Sequence, residues 1–96
     1  MYQVIISRSV AEMIRQAMND AIVEGKGMMA LKSLRWIRDE LASDPNRFGE
    51  SREHYASAQL QGRVAFVTSL RVHFAVHESS QVVFVSRVGW TTRRAN

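Results

Sequence analysis

GRVAFVTSLRVHFAVHESSQVVFVSRVGW, residues Gly62 to Trp90, decides the fold. Within it Leu70, Val72, Phe74 and Val76 alternate strictly with Arg71, His73, Ala75 and His77. Successive side chains of a strand point to opposite faces, so this stretch has one apolar face and one led by arginine and histidine. The flanking segments, Gly62 to Thr68 and Gln81 to Val88, are rich in Val and Phe. Thr68-Ser69 and Glu78-Ser79-Ser80 separate them and are short enough to be hairpin connections. The pattern predicts an antiparallel three-stranded meander, one face covered by the rest of the chain and the other open, carrying Arg71, His73 and His77.

Working outward, the 96 residues suit a single domain, 1–96, with one modest core. Hydrophobic residues make up 46%, enough to fold around. The chain has no cysteine, which excludes a disulfide framework and thiol catalysis. With no secretory h-region visible, the expected location is cytoplasmic. No apolar run approaches the ~20 residues of a membrane span. Thirteen Lys+Arg against nine Asp+Glu give a net charge of +4, and eleven of the thirteen cations are arginine. A guanidinium is a planar fork of donors that matches phosphate, so an Arg-biased basic chain points to a polyanionic partner, nucleic acid or an acidic protein segment.

Before the meander, Tyr2 to Ser7 (YQVIIS) is β-branched and aromatic and reads as a strand that joins the sheet. Ser9 and Glu12 fit a capping box. Val10, Met13, Ile14, Ala17, Met18, Ala21 and Ile22 then recur at helical spacing, the methionines as core filling. Gly25-Lys26-Gly27 closes this helix. It is not a phosphate loop, because it follows a helix and no third glycine comes after it. Met28 to Ala42 predicts a second helix, with Leu31, Leu34, Ile37 and Leu41 inward and Trp36 off the stripe, either packed on the sheet edge or marking a partner groove. Asp44-Pro45 ends it. Asn46 to Gln61, which carries Arg47, Arg52, His54 and Tyr55, has no clear period and reads as a long loop, a kind of segment that is usually functional or mobile. The tail after Trp90 is basic.

Three segments carry a family likeness: Asp44-Pro45-Asn46-Arg47-Phe48-Gly49, then LRVHFAVHE from Leu70 to Glu78, then VVFVSRVGW from Val82 to Trp90. With the order strand, two-helix hairpin, Asp-Pro, variable loop and meander, the chain resembles the RelE/ParE superfamily of type II toxin–antitoxin toxins. The resemblance implies an α+β fold, β-α-α-β-β-β, its antiparallel sheet covered on one face by the helix hairpin. In the RelE-like branch it implies ribosome-dependent cleavage of mRNA by attack of a 2′-hydroxyl on the adjacent phosphate, without metal or cofactor, and a cognate antitoxin as partner. In the ParE-like branch it implies a gyrase-inhibiting or non-catalytic binding module.

Placed on this sequence, the resemblance sets Arg71 at the family's middle-strand arginine and Arg63 at the basic position of the preceding strand. Arg93 or Arg94 stands for the basic residue after the last strand. With Arg87 they are the candidate phosphate contacts. The chain departs from the active ribonucleases in having no His or Tyr after Trp90, and Ala65 stands where a basic residue is frequent.

The chemistry of 2′-hydroxyl attack needs a positive clamp and a group that takes a proton near neutral pH. Arg71 and His73 share one strand face about 7 Å apart. The nearby positive charge favours the neutral imidazole, which is the form that acts as a base. They are the candidate catalytic residues. The structural alternative leaves the histidines as solvated strand residues and pairs Arg71 with Glu78 or a loop carboxylate. No histidine pair has metal-ligand spacing on a helix, and no serine sits in a G-x-S-x-G elbow, so no metal site or serine triad is expected.

Overall fold

A computed structural model describes residues 1–55 and 58–91. The elements are β1 (Gln3–Ile6), α1 (Arg8–Val23), α2 (Gly27–Ser43), β2 (Glu50–Tyr55), β3 (Leu60–Val67), β4 (Leu70–His77) and β5 (Val82–Trp90). They form one five-stranded sheet in the order β1-β5-β4-β3-β2, with both helices on one face, an α+β architecture. The β3-β4-β5 meander is antiparallel as its alternation predicts.

Two features of the sheet lie beyond the expected layout. β1 pairs parallel to β5, so the sheet is mixed rather than purely antiparallel. The segment read as a loop contains β2, which pairs antiparallel with β3 at the far edge. ESREHY has no apolar period because an edge strand need not be buried to be held by its ladder.

The core is built from β4. Leu70, Val72, Phe74 and Val76 are all at or below 2% exposure, while their odd-numbered neighbours remain partly open. Val83, Val85, Val88 and Trp90 of β5 join them, although 85 and 88 differ in parity. A bulge between the His73 and Phe74 pairings resolves this: Ser86 is the extra residue, and Ser86 and Arg87 are both exposed. The Ser86 hydroxyl donates to the His73 carbonyl at 3.2 Å.

Each helix end follows its local chemistry. α1 is capped by Ser7 rather than Ser9; the Val10 N–H donates to Ser7 Oγ at 3.3 Å. Glu12, expected in a capping box, instead pairs with Arg15 at 3.4 Å. At the other end Gly25 takes φ +74°, and two reversed bonds satisfy the last carbonyls: Gly25 N–H to Ile22 O and Lys26 N–H to Ala21 O, at 2.9 and 2.8 Å. Val10, Ala17 and Ala21 face the sheet, but Ile22, expected in the apolar stripe, is 59% exposed. Ile37 and Leu41 of α2 are buried with Ala30, and Leu31 and Leu34 are half-buried. Trp36 packs edge-on against Phe48, ring centroids 5.4 Å apart, and Phe48 stacks on Phe74 at 5.9 Å. The indole of Trp90 donates to the Glu24 carboxylate at 2.7 Å and ties the end of β5 to the end of α1.

Candidate functional site

The face of the sheet away from the helices is set by the ladders, since directly opposed residues share a face. On β4 it carries Arg71, His73, Ala75 and His77. Across the ladder to β5, Arg71 faces Gly89, His73 faces Arg87, and Ala75 faces Phe84. Across to β3, Arg71 faces Phe66 and His73 faces Val64. Val64 is buried at 2%, so this side is a partly filled surface rather than a bare one.

Arg71 lies two residues from His73 on β4 and Arg87 faces it from β5, while Arg52 comes from β2. The pKa of His73 is lowered from 6.5, first by partial burial and then by the charges of Arg71, Arg87 and Arg52. Arg52 belongs to β2, where a register shift between Ser51 and Glu53 leaves it unpaired with any β3 residue. It contacts Glu50 at 3.8 Å, while Arg71 and Arg87 make no salt bridge with any residue whose side chain is described, Glu53 not being among these. The alternative of Arg71 paired to Glu78 is therefore not what the geometry holds.

Arg71 has a further property. Its Nε is buried and has no acceptor among the described residues. A buried donor left unmatched costs about 1–3 kcal/mol, and more when charged.

Arg63 does not belong to this face. It lies opposite Phe74, on the helix side, and donates from Nε to Phe48 O at 3.0 Å and from Nη2 to Gly49 O at 2.8 Å. It is a clasp on the start of β2, and the structure does not bring it together with Arg71 and Arg87. Ala65 also faces the helices and is 3% exposed. His77 is on the open face but is bound into the β4–β5 turn, its Nδ1 accepting from the Ser80 N–H at 3.3 Å with Ser80 Oγ at 2.6 Å. His54 lines a separate polar hollow with Gln59, Gln61 and Ser79. Arg93 and Arg94 lie outside the described residues.

The sequence reading named Arg71, His73 and Arg87. It missed Arg52 as a neighbour of His73, and the missing signal was β2 itself: once a strand is placed there, Arg52 is brought beside the meander. An apolar cleft of about 210 Å³ lies on the other side of the sheet, beneath α2, with Arg35 and Arg38 at its lining. Among the described residues no helix is long and apolar enough to cross a membrane, and no three His, Cys, Asp or Glu side chains converge as a metal site.

Comparison of the chain with protein-family models, with curated proteins and with solved structures gives no match.

Proposed function

We propose that the protein is a RelE-like toxin that engages RNA on its open sheet face and cleaves mRNA in a ribosome-dependent reaction. Arg71, Arg87 and Arg52 clamp the scissile phosphate. His73, neutral near pH 7 because burial and the three guanidinium groups disfavour its cation, accepts the proton of the 2′-hydroxyl. The 2′-oxygen then bonds to the adjacent phosphorus as the P–O5′ bond breaks, and the 5′-oxygen takes a proton from water, giving a 2′,3′-cyclic phosphate and a 5′-hydroxyl. The observation that supports this reading is the placement of Arg71 and Arg87 on either side of His73 on the open face, Arg71 two residues along β4 and Arg87 directly across the ladder. Arg93 and Arg94 remain candidate phosphate contacts of the same reading. A cognate antitoxin neutralises the toxin by packing on the helices or covering this face.

The test is induced expression followed by primer-extension mapping of message ends. The wild-type chain arrests growth and produces ribosome-dependent cuts. Arg71→Ala abolishes both while the variant remains folded, and cuts that persist in that variant remove Arg71 from the mechanism.

One observation favours a second reading. The residues set directly against His73 on β4 and β5 bring guanidinium groups, and the Glu50 carboxylate in the same row lies beyond Val64 and is paired with Arg52, so none of them adjoins His73 as a second proton-transfer group for the leaving 5′-oxygen. A ParE-like module that inhibits gyrase without cutting RNA has no need of one. That reading predicts a DNA-damage response with messages intact.

A further inference from the structure

The same face exposes two large aromatic side chains, Phe66 at 64% and Phe84 at 43%. Neither serves the core, which lies on the opposite side of the sheet. Phe66 pairs with Arg71 from β3, and Phe84 pairs with Ala75 from β5. Four residues along β4 and two strand spacings across put them about 16 Å apart on a diagonal. The midpoint of that diagonal is His73, with Arg71 next to Phe66 and Arg87 three residues from Phe84 across the Ser86 bulge.

We infer that Phe66 and Phe84 are base-stacking platforms on either side of the phosphate clamp, and that the strand they take is single-stranded RNA crossing the sheet diagonally. This rests on the RNA-binding reading above and adds subsites to it. An exposed phenyl ring gains by stacking on a base whatever its identity, and a cationic groove between two such rings tracks the backbone. The separation of the rings excludes a base pair step. Neighbouring bases in a helix rise about 3.4 Å, so rings about 16 Å apart hold bases of non-adjacent, splayed nucleotides. A duplex keeps its bases inside and offers these rings nothing. An acidic protein segment would satisfy the arginines and offers a flat group only where it carries an aromatic residue, whereas a single strand sets a flat base beside every phosphate, so the joint pattern of charge and aromatic surface favours nucleic acid.

The experiment is fluorescence anisotropy with three labelled probes: a mixed-sequence RNA decamer, the same decamer with abasic sites at every position, and its duplex. The full chain, Phe66→Ala, Phe84→Ala and Arg71→Ala are compared, with melting temperatures taken for each. Both phenylalanines are exposed away from the core, so the variants are expected to fold, and Phe66→Leu and Phe84→Leu provide a second, milder pair. Each Phe→Ala change should weaken the single-stranded decamer about tenfold, the Leu pair less, and leave abasic and duplex binding within about twofold. Loss of binding in Arg71→Ala with no effect of either phenylalanine overturns the stacking subsites and leaves the phosphate clamp standing. Unchanged binding in Arg71→Ala overturns the clamp itself. Abasic or duplex binding as tight as that of the single strand likewise overturns the platforms.

Discussion

Gly89 lies directly across the ladder from Arg71, and a β-carbon built on it would sit 3.6 Å from a terminal guanidinium nitrogen of Arg71. The arginine thus rests over a strand position with no side chain, flat against β5. A single β-carbon at that distance is in ordinary contact, whereas a branched side chain would take the space the guanidinium occupies. Gly89→Ala should raise stability by about 0.5–1 kcal/mol, because glycine inside a strand is entropically unfavourable. Gly89→Val should fold but lift Arg71 away from the sheet, weakening binding of an RNA decamer about tenfold. Denaturant unfolding and anisotropy on the two variants check this.

His73 gives a pH signature whose sign follows from its causes. Its folded pKa lies below 6.5, so as pH falls through this value the unfolded chain takes up the proton before the folded one does. The contribution of neutral His73 to stability is therefore complete above pH 6.5 and is lost as pH falls toward the folded pKa. NMR titration of the imidazole should show the depressed value. Arg71→Ala and Arg87→Ala should each move it part of the way back to 6.5, and part only, since burial is the largest cause. A phosphate bound in the clamp should raise it, because an anion favours the imidazolium.

Arg63 separates the two faces experimentally. Its two bonds to the carbonyls of Phe48 and Gly49 hold the chain where β2 begins. Gly49 is at φ +75°, and a β-carbon there would approach Val64 O to 2.4 Å, so the turn cannot easily be rebuilt around another residue. Arg63→Ala should cost about 2 kcal/mol in chemical denaturation, the scale of charge-assisted hydrogen bonds, while RNA affinity stays within about twofold. A large affinity loss in a folded Arg63→Ala protein would place this arginine back on the binding face.

The central strand was legible because its alternation is strict from Leu70 to His77, and a one-residue slip would bury Arg71 and His73. The preceding strand was not, since Val64, Ala65, Phe66 and Val67 are all apolar and no period says which parity faces the helices; hence the misplacement of Arg63. The last strand hides its bulge for a related reason: Val82 through Val85 read as buried on either parity, and only the ladder to His73 and Phe74 reveals Ser86 as the extra residue. β2 left no trace in composition because its pairing is through the backbone. The cap at Ser7 lost to Ser9 in the sequence because Glu12 sits at capping-box distance from Ser9 alone. What joins Arg52 to His73 is tertiary pairing, which no local pattern encodes.

The salt dependence of RNA binding tests the clamp most directly. For single strands the slope of log affinity against log salt is about −0.7 per phosphate neutralised. Replacing Arg52, Arg71 and Arg87 together by alanine should therefore make the slope for an RNA decamer shallower by about 2, with the folded circular dichroism spectrum retained. A slope that stays the same in the folded triple variant would contradict the assignment of RNA phosphate to this face.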